Sequence, residues 1–382
     1  MNVMTRGTVR ARMSLSGAVL RVCTDDDGID IELDEQVRRG LDRHDFAAWL
    51  MLPLAMRQNA DLHVEGRGST DTVRNAGRLA EIWSRWLPGH FRPVKVSFSD
   101  LYDAGADEPG RGDLCLYPGG IDSTYALLKR FRAGQRQALL TIHGMDYRHA
   151  DEDRFAELVR KTSSFAALVG TERFFVRTNA YDAYKKHRVN LNGADIGHGF
   201  VLAGMGFLFS GLFGRVVLAA DYRLDQQFAV HPWGTNAATN PCFDDGRFRL
   251  HTEGDDVTRA EKGPLLASCE EALASLTFCV DYRARPHNCG RCQKCVRTKT
   301  MFLAATGRLP ALCLDNSLPP DCLSAFDLAK KHQRAFFFDL YETACRNGTV
   351  DAIPGLQAAH EAAIAPLQAH GAWQRLKRAL RR

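Results

Sequence analysis

Residues 114–132 read LCLYPGGIDSTYALLKRFR, and this stretch decides the fold. Four apolar residues, LCLY, make a short buried strand. Two glycines follow at once, and a helical pattern starts near Asp122 or Ser123. Glycine tolerates positive φ, so successive N–H groups of Gly119 and Gly120 can point into one concavity while the helix N-terminus adds partial positive charge. Ser123 and Thr124 add hydroxyl donors. Asp122 fits such a site if Mg²⁺ bridges its carboxylate to phosphate oxygens. The spacing G-x-x-x-x-G-K-[ST] is absent and no lysine closes the turn, so this is not a Walker A loop and compensating charge must come from elsewhere. Pro118 weakens the nest at its first position, since proline has no N–H, but it fixes its own φ and keeps Tyr117 extended. Taken alone, GGIDST is equally accounted for as an ordinary strand-to-helix turn.

The same grammar continues on the C-terminal side. ALLTIHG (138–144) precedes the helical EDRFAELVRKTSSFAALVG, and RFFVRTN (173–179) and RVVLAAD (215–221) bracket an apolar helix around 197–213. Strands alternating with helices predict an α/β protein with a doubly wound parallel sheet. Ligands in such sheets sit beyond the carboxyl ends of the strands, which singles out Pro118–Thr124, His143–Tyr147, Asn179 and the chain from Asp221 onward. On the N-terminal side, residues 1–108 carry an apolar helical run DFAAWLMLPLAMR, a strand-like DLHVEG, a second helix near 70–87 and a strand-like PVKVSFS. They are expected to form a separate α+β domain, joined through the Gly- and Asp-rich linker 102–112 to a domain over 109–305. Beyond 306 a helical extension runs to 382, broken by prolines and ending in the basic amphipathic AWQRLKRALRR, which macrodipole and solubility account for.

Bulk properties exclude more than they select. The chain has 382 residues, 45% of them hydrophobic, and 50 Lys+Arg against 45 Asp+Glu, a formal +5 that tolerates anionic ligands without marking a nucleic-acid binder. Arg21 and the acidic run 25–27 break any signal-peptide pattern. The longest apolar run, GFVLAGMGFLFSGLFG (199–214), is short for a membrane span and reads as a buried helix. Eleven cysteines without an export signal point to reduced thiols and a cytoplasmic location.

Four of these cysteines form a second constellation. In CVDYRARPHNCGRCQKC, Cys279, Cys289, Cys292 and Cys295 are spaced C-x9-C-x2-C-x2-C with Gly290 inside the turn. This knuckle spacing (279–295) suits a closed tetrahedral Zn²⁺ site, and four sulfurs leave no open position for catalysis, so the metal is structural. The neighbouring cations Arg283, Arg285, Arg291, Lys294, Arg297 and Lys299 are placed to offset the charge of a zinc tetrathiolate.

With turn and knuckle together, the chain resembles the PP-loop ATP pyrophosphatases, whose signature is a Ser-Gly-Gly-x-Asp-Ser turn after a strand. Gly119, Gly120, Asp122 and Ser123 match it, and Pro118 stands at the leading serine. A PP-loop domain followed by this cysteine block is similar to the 7-cyano-7-deazaguanine synthase (QueC) family over roughly residues 112–300. The resemblance implies a Rossmann-like PP-loop domain of the HUP type that binds ATP and Mg²⁺. It implies adenylation of a carboxylate, 7-carboxy-7-deazaguanine or a related acid, with release of pyrophosphate. Ammonia or an amine then gives an amide, and a second adenylation gives the nitrile. VTRAEKG (257–263) resembles the family's Thr-Lys-Ala-Glu segment with Arg259 at the lysine place, so Arg259 or Lys262 is expected to neutralise phosphate charge. A solvated helix face is the plainer account of the same residues.

The family's Tyr-Gly-Gln motif is replaced by HGMDYRH (143–149), and its substrate loop by DYRLDQQFAVHPWGTNAATNPCFDDG, which keeps only Asp221 and Tyr222. His143 and Asp146 are expected to frame the nucleotide or substrate, His198 and Asp221 to face it, and Trp233, Gly234 and Asn236 to form a lid; loop packing is the alternative for each. The extra N-terminal residues are similar to the arrangement in longer paralogues, some found in antiphage defence or biosynthetic gene sets and acting on other carboxylates or on protein termini. The expected partners are thus a carboxylic acid, an amine donor and, in such paralogues, a protein substrate; a homodimer is compatible, whereas nucleic acid and membrane are not expected. Two other readings stay open: a PP-loop sulfur transferase, for which Cys242 is the candidate thiol, and a non-catalytic nucleotide-binding protein.

Overall fold

The computed structural model describes residues 7–25, 27–103, 112–189 and 196–365; the expected linker, apart from its ends, and the basic terminal helix lie outside them. Three strands open the chain: β1 (Thr8–Ser16), β2 (Val19–Cys23) and β3 (Gly28–Glu32). They form an antiparallel meander whose alternate residues, among them Val9, Ala11, Leu20, Val22, Ile29 and Ile31, are buried. After the short α1 (Glu35–Arg39) comes α2 (Asp45–Gln58), buried on every side from Asp45 to Met56. A helix that is apolar all round belongs in an interior. Then β4 (Asp61–Ser69), α3 (Thr70–Trp86) and β5 (Val96–Tyr102) make a parallel unit with β1, and Ser69 caps α3 by accepting from Asp71 N at 3.0 Å.

The second half follows the strand-helix alternation of the sequence. Strand β6 (Asp113–Leu116) leads into α4 (Ile121–Arg132), β7 (Gln137–His143) into α5 (Glu152–Val169), and β8 (Arg173–Thr178) into α6 (Ala180–Lys186) and α7 (His198–Phe207). Strand β9 (Arg215–Ala219) then returns beside β6, and after α8 (Leu224–Val230) comes β10 (Arg249–Glu253). Helices α9 (Gly263–Ala267), α10 (Glu270–Ser275), α11 (Gln293–Thr306) and α12 (Lys331–Asn347) follow, and the described chain is again helical over 356–365. The long apolar run is helical only as far as Phe207, the tenth and last residue of α7, and continues in turns.

All ten strands belong to one sheet of order β10-β9-β6-β7-β8-β3-β2-β1-β4-β5, mostly parallel. Where two separate domains are expected, sheet and core both run across the boundary. Strand β3 pairs antiparallel with β8 through Ile31 and Thr178, and one apolar core holds Trp49 and Leu50 of α2 together with Phe200 and Phe207 of α7. The edge-to-edge pairing removes two open strand edges at once. Strand β6 is the central divide: Leu114 and Leu116 face this core, while Cys115 and Tyr117 face a second one built from α4, α5 and the cysteine segment. A parallel strand buried on both faces must be apolar throughout, as LCLY is.

Candidate active site

In chain order the parallel strands around β6 run outward to β7 and β8 on one side and to β9 and β10 on the other. The chain therefore changes winding direction between β6 and β9, and crevices form at the carboxyl ends of strands at such a point. A cavity of ≈ 540 Å³ opens there. Pro118, Gly120, Asp122 and Ser123 form its floor, Met145, Asp146 and Tyr147 come from the end of β7, and Asp221 from the end of β9.

The glycine turn is forced by its neighbours. Gly119 has φ +84°, and a Cβ there would lie 2.7 Å from Thr277 Cγ2 and 2.9 Å from Thr162 Cγ2. Its carbonyl accepts from Thr277 N at 2.9 Å, tying the turn to the segment that leads into Cys279. Gly120 then starts α4 without any side-chain cap, and Ser123 Oγ donates to Gly120 O at 3.1 Å. An uncapped helix start at a cavity floor leaves first-turn N–H groups for an anion. Thr124 Oγ1 is buried and has no hydrogen-bond partner, and it does not line the cavity.

Asp122 is held by cations, not left open for a metal. Lys262 Nζ, only 1% exposed, lies 2.7 Å from its Oδ1, and Arg259 pairs with Oδ2. Burial works against the charge of Asp122, but Arg259 and Lys262 outweigh it and hold its pKa below the usual carboxylate value. Lys262 also donates to Ala220 O at 2.7 Å and stays out of the cavity wall. Arg259 stacks over the Phe336 ring at 4.5 Å and lies 3.8 Å from Asp221. With both carboxylate oxygens occupied, the Mg²⁺ bridge expected of Asp122 does not fit this arrangement.

Asp221 is also the anchor of the opposite wall. Trp233 Nε1 donates to its Oδ2 at 2.9 Å and Thr235 Oγ1 at 3.3 Å, and His198 at the start of α7 lies 3.4 Å from Thr235 Oγ1 through Nε2. Asp221, Trp233, Thr235 and His198 all line the cavity. Asn236 does not; it turns inward, donating to Trp233 O and accepting from Ala238 N and Thr239 N, so it shapes the loop. His143 is likewise turned away, stacked on Phe155 with ring centroids 4.2 Å apart and bonded to Arg148 O at 2.8 Å; burial lowers its pKa. The residue four positions on, Tyr147, reaches the cavity in its place.

The cysteine block closes the third side. The Cys279, Cys289, Cys292 and Cys295 sulfurs lie within 4.8 Å of one another. A tetrahedron with metal–sulfur bonds of ~2.3 Å has sulfur–sulfur edges of ~3.8 Å. The Cys279–Cys292 and Cys289–Cys295 separations are 3.7 Å and 3.9 Å. The N–H groups of Arg291 and Cys292 point at Cys289 Sγ at 3.4 Å and 3.3 Å, as suits a thiolate. Gly290 has φ +86°, and a Cβ would come within 1.9 Å of Asp315 O. These four residues can bind a metal ion such as zinc. The block is braced to the cavity: Arg285 donates from Nε to Cys279 O at 2.6 Å and from Nη1 to Asp146 O, and Asn288 bridges Leu276 O and Leu312 O at 3.0 Å and 2.9 Å. Phe278, Cys279, Arg285 and Lys294 all face the cavity. The sequence assigned Arg285 and Lys294 to the charge of the cysteine cluster; the structure adds them, with Thr277 and Tyr147, to the wall.

The described chain is thus a mixed α/β protein with one large, mostly parallel sheet and a four-cysteine cluster beside the cavity. It matches no protein-family model, no curated protein and no solved structure. No described helix is long and apolar enough to cross a membrane.

Proposed function

We propose that this chain is an adenylating ligase of the PP-loop type, similar to the 7-cyano-7-deazaguanine synthases, that converts ATP to AMP and pyrophosphate while activating a carboxylate. The observation that carries the reading is the uncapped Gly119–Gly120 turn at the floor of a cavity at the sheet's switch point. The apolar wall of Leu140, Ile142, Leu202 and Leu218 suits a flat ring such as that of 7-carboxy-7-deazaguanine or a related acid.

In this reading a carboxylate oxygen attacks the α-phosphorus, the bond to the β-phosphate oxygen breaks and pyrophosphate leaves. Ammonia or an amine then attacks the acyl carbon, and AMP departs with the former carboxylate oxygen while the amine loses a proton. An amide takes one ATP and a nitrile two. First-turn N–H groups of α4 and the Ser123 hydroxyl hold phosphate oxygens. Arg259 offsets their growing charge, and Asp122 positions Arg259. Magnesium, which would enter with the nucleotide and neutralise phosphate charge, would find Asp122 already paired with Arg259 and Lys262. Cys279, Cys289, Cys292 and Cys295 would hold a structural zinc and so brace the wall made by Thr277–Cys279 and Arg285.

Purified protein with ATP, Mg²⁺ and 7-carboxy-7-deazaguanine should release AMP and pyrophosphate. ADP as the sole product overturns the reading, and tight ATP-analogue binding without AMP across a panel of acids favours a non-catalytic nucleotide binder. Sulfur transfer has little support, because Cys242 is buried, has a raised thiol pKa from that burial and lies outside the cavity wall.

A further inference from the structure

The turn at residues 118–124 carries no lysine, and Arg259 and Lys262 both pair with Asp122. A second small cavity of ≈ 30 Å³ adjoins the main one, and Arg259, Lys294 and Thr298 line both. Arg297 lines the smaller one beside Met301 and Phe336. Lys294 and Arg297 sit in the first turns of α11, whose first turn holds no acidic residue. Half-buried cations at the positive end of a helix repel both one another and the macrodipole.

Part of their polar surface is unspent. Arg297 Nη1 and Arg259 Nε are buried without a hydrogen-bond partner, although Arg259 also pairs with Asp122, and Lys294 shares the main cavity with the carboxylates Asp122 and Asp146. The one carboxylate of the smaller cavity, Asp339, is occupied otherwise: Ala260 N donates to its Oδ2 at 3.0 Å and Thr343 Oγ1 to its Oδ1 at 3.3 Å. Of the cluster, Cys279 shares the main cavity with Lys294, while Cys292 and Cys295 on either side of Lys294 line neither cavity.

We infer that Lys294, supported by Arg297 and Arg259, is an oxyanion-binding residue that supplies from α11 the cation the glycine turn lacks, and that its ligand is a polyphosphate or pyrophosphate group held between the start of α4 and the start of α11. This rests on the adenylation reading for its place in a reaction, though not for the binding itself. The two unpartnered guanidinium N–H groups and the Lys294 ammonium are satisfied together by one tetrahedral oxyanion or a linked pair, which also relieves the like-charge repulsion.

The test is calorimetry of the zinc-loaded full chain with inorganic pyrophosphate at fixed ionic strength. Wild type should bind, Lys294→Gln should weaken binding about tenfold or more, and Lys294→Arg should keep it within about threefold, as expected for a charge-assisted contact. Zinc content and thermal midpoint are read on every variant, because Lys294 adjoins Cys295; Arg297→Gln, farther from the sulfurs in sequence, is the second variant and should weaken binding as well. Equal pyrophosphate affinity in wild type, Lys294→Gln and Arg297→Gln overturns the inference, as does a wild type that binds no pyrophosphate at millimolar concentration. A wild type that binds pyrophosphate through Lys294 yet forms only ADP from ATP with a panel of acids upholds the subsite and overturns adenylation.

Discussion

Asp122→Ala tests whether the centre of the site is an ion cluster or a metal ligand. The substitution leaves Lys262, 1% exposed, with Ala220 O as its remaining partner, and Arg259 with Asp221 at 3.8 Å. Removing one member of a buried pair costs about 3–5 kcal/mol, because the other charge stays buried and uncompensated. At roughly 2–4 °C per kcal/mol for larger domains, the thermal midpoint should fall on the order of 10 °C. Adding Lys262→Met removes the stranded charge, so the double variant should recover at least about 2 kcal/mol relative to the sum of the two single changes. The pH dependence has a definite sign. The pKa of Asp122 is lower in the folded state than its ordinary 3.8, so its contribution is complete above that value and is lost as pH falls through the folded value. Urea denaturation of the four-member cycle at pH 7 is the assay. Additivity within about 0.5 kcal/mol would refute the ion-cluster argument and return Asp122 to the role of a metal ligand.

Gly119→Ala should lose nucleotide binding and stability together, since φ +84° and the Thr277 and Thr162 contacts both reject a Cβ, whereas Pro118→Ser should keep or improve ATP turnover; equal behaviour of the two variants would make the stretch only a turn. Metal analysis should find about one zinc per chain, and stripping it with a chelator should weaken pyrophosphate binding, because Thr277 N holds Gly119 O at 2.9 Å; retention of full affinity in metal-free, folded protein would separate knuckle from turn. Asp245, raised by burial and by the charge of Asp45 to about 6, should make the protein less stable as pH rises from about 4 through 6, by ~2–3 kcal/mol in all. Asp245→Asn keeps an acceptor for Arg247 N and Phe248 N and should flatten that slope in thermal melts between pH 4 and 7.

The stretches with strong local signals were legible. LCLY, ALLTIHG, RFFVRT and RVVLA are strands within a residue or two of their expected bounds, and the α2 and α3 patterns hold as well. Residues 8–32 yielded no strand in the sequence reading, although Val9 and Ala11, Leu20 and Val22, and Ile29 and Ile31 alternate with less buried positions at the strand period of two. The joint between β3 and β8 rests on pairs nearly 150 residues apart, so no local window contains it. Long-range partnership also explains the reassignment of Asp122. Its sequence neighbours are hydroxyls and glycines, which suggest a metal bridge, but the fold brings Lys262 to it across 140 residues.

Lys294 carries two assignments, one from its neighbours in sequence and one from the fold. It lies between Cys292 and Cys295, so proximity in sequence assigns its charge to the sulfurs. On a helix, however, residues three apart share a face and the residue between them points elsewhere. Cys292 is the N-cap of α11 and Cys295 its third residue; both are turned to the cluster, and that phase alone sends Lys294 toward the cavity. The cysteine spacing therefore does two things: it sets a tetrahedral donor set, and it fixes the rotation of α11 so that Lys294 lines the cavity that the glycine turn also lines. A knuckle that loses its metal should lose that phase as well, and stripping zinc and Lys294→Gln should then weaken pyrophosphate binding non-additively.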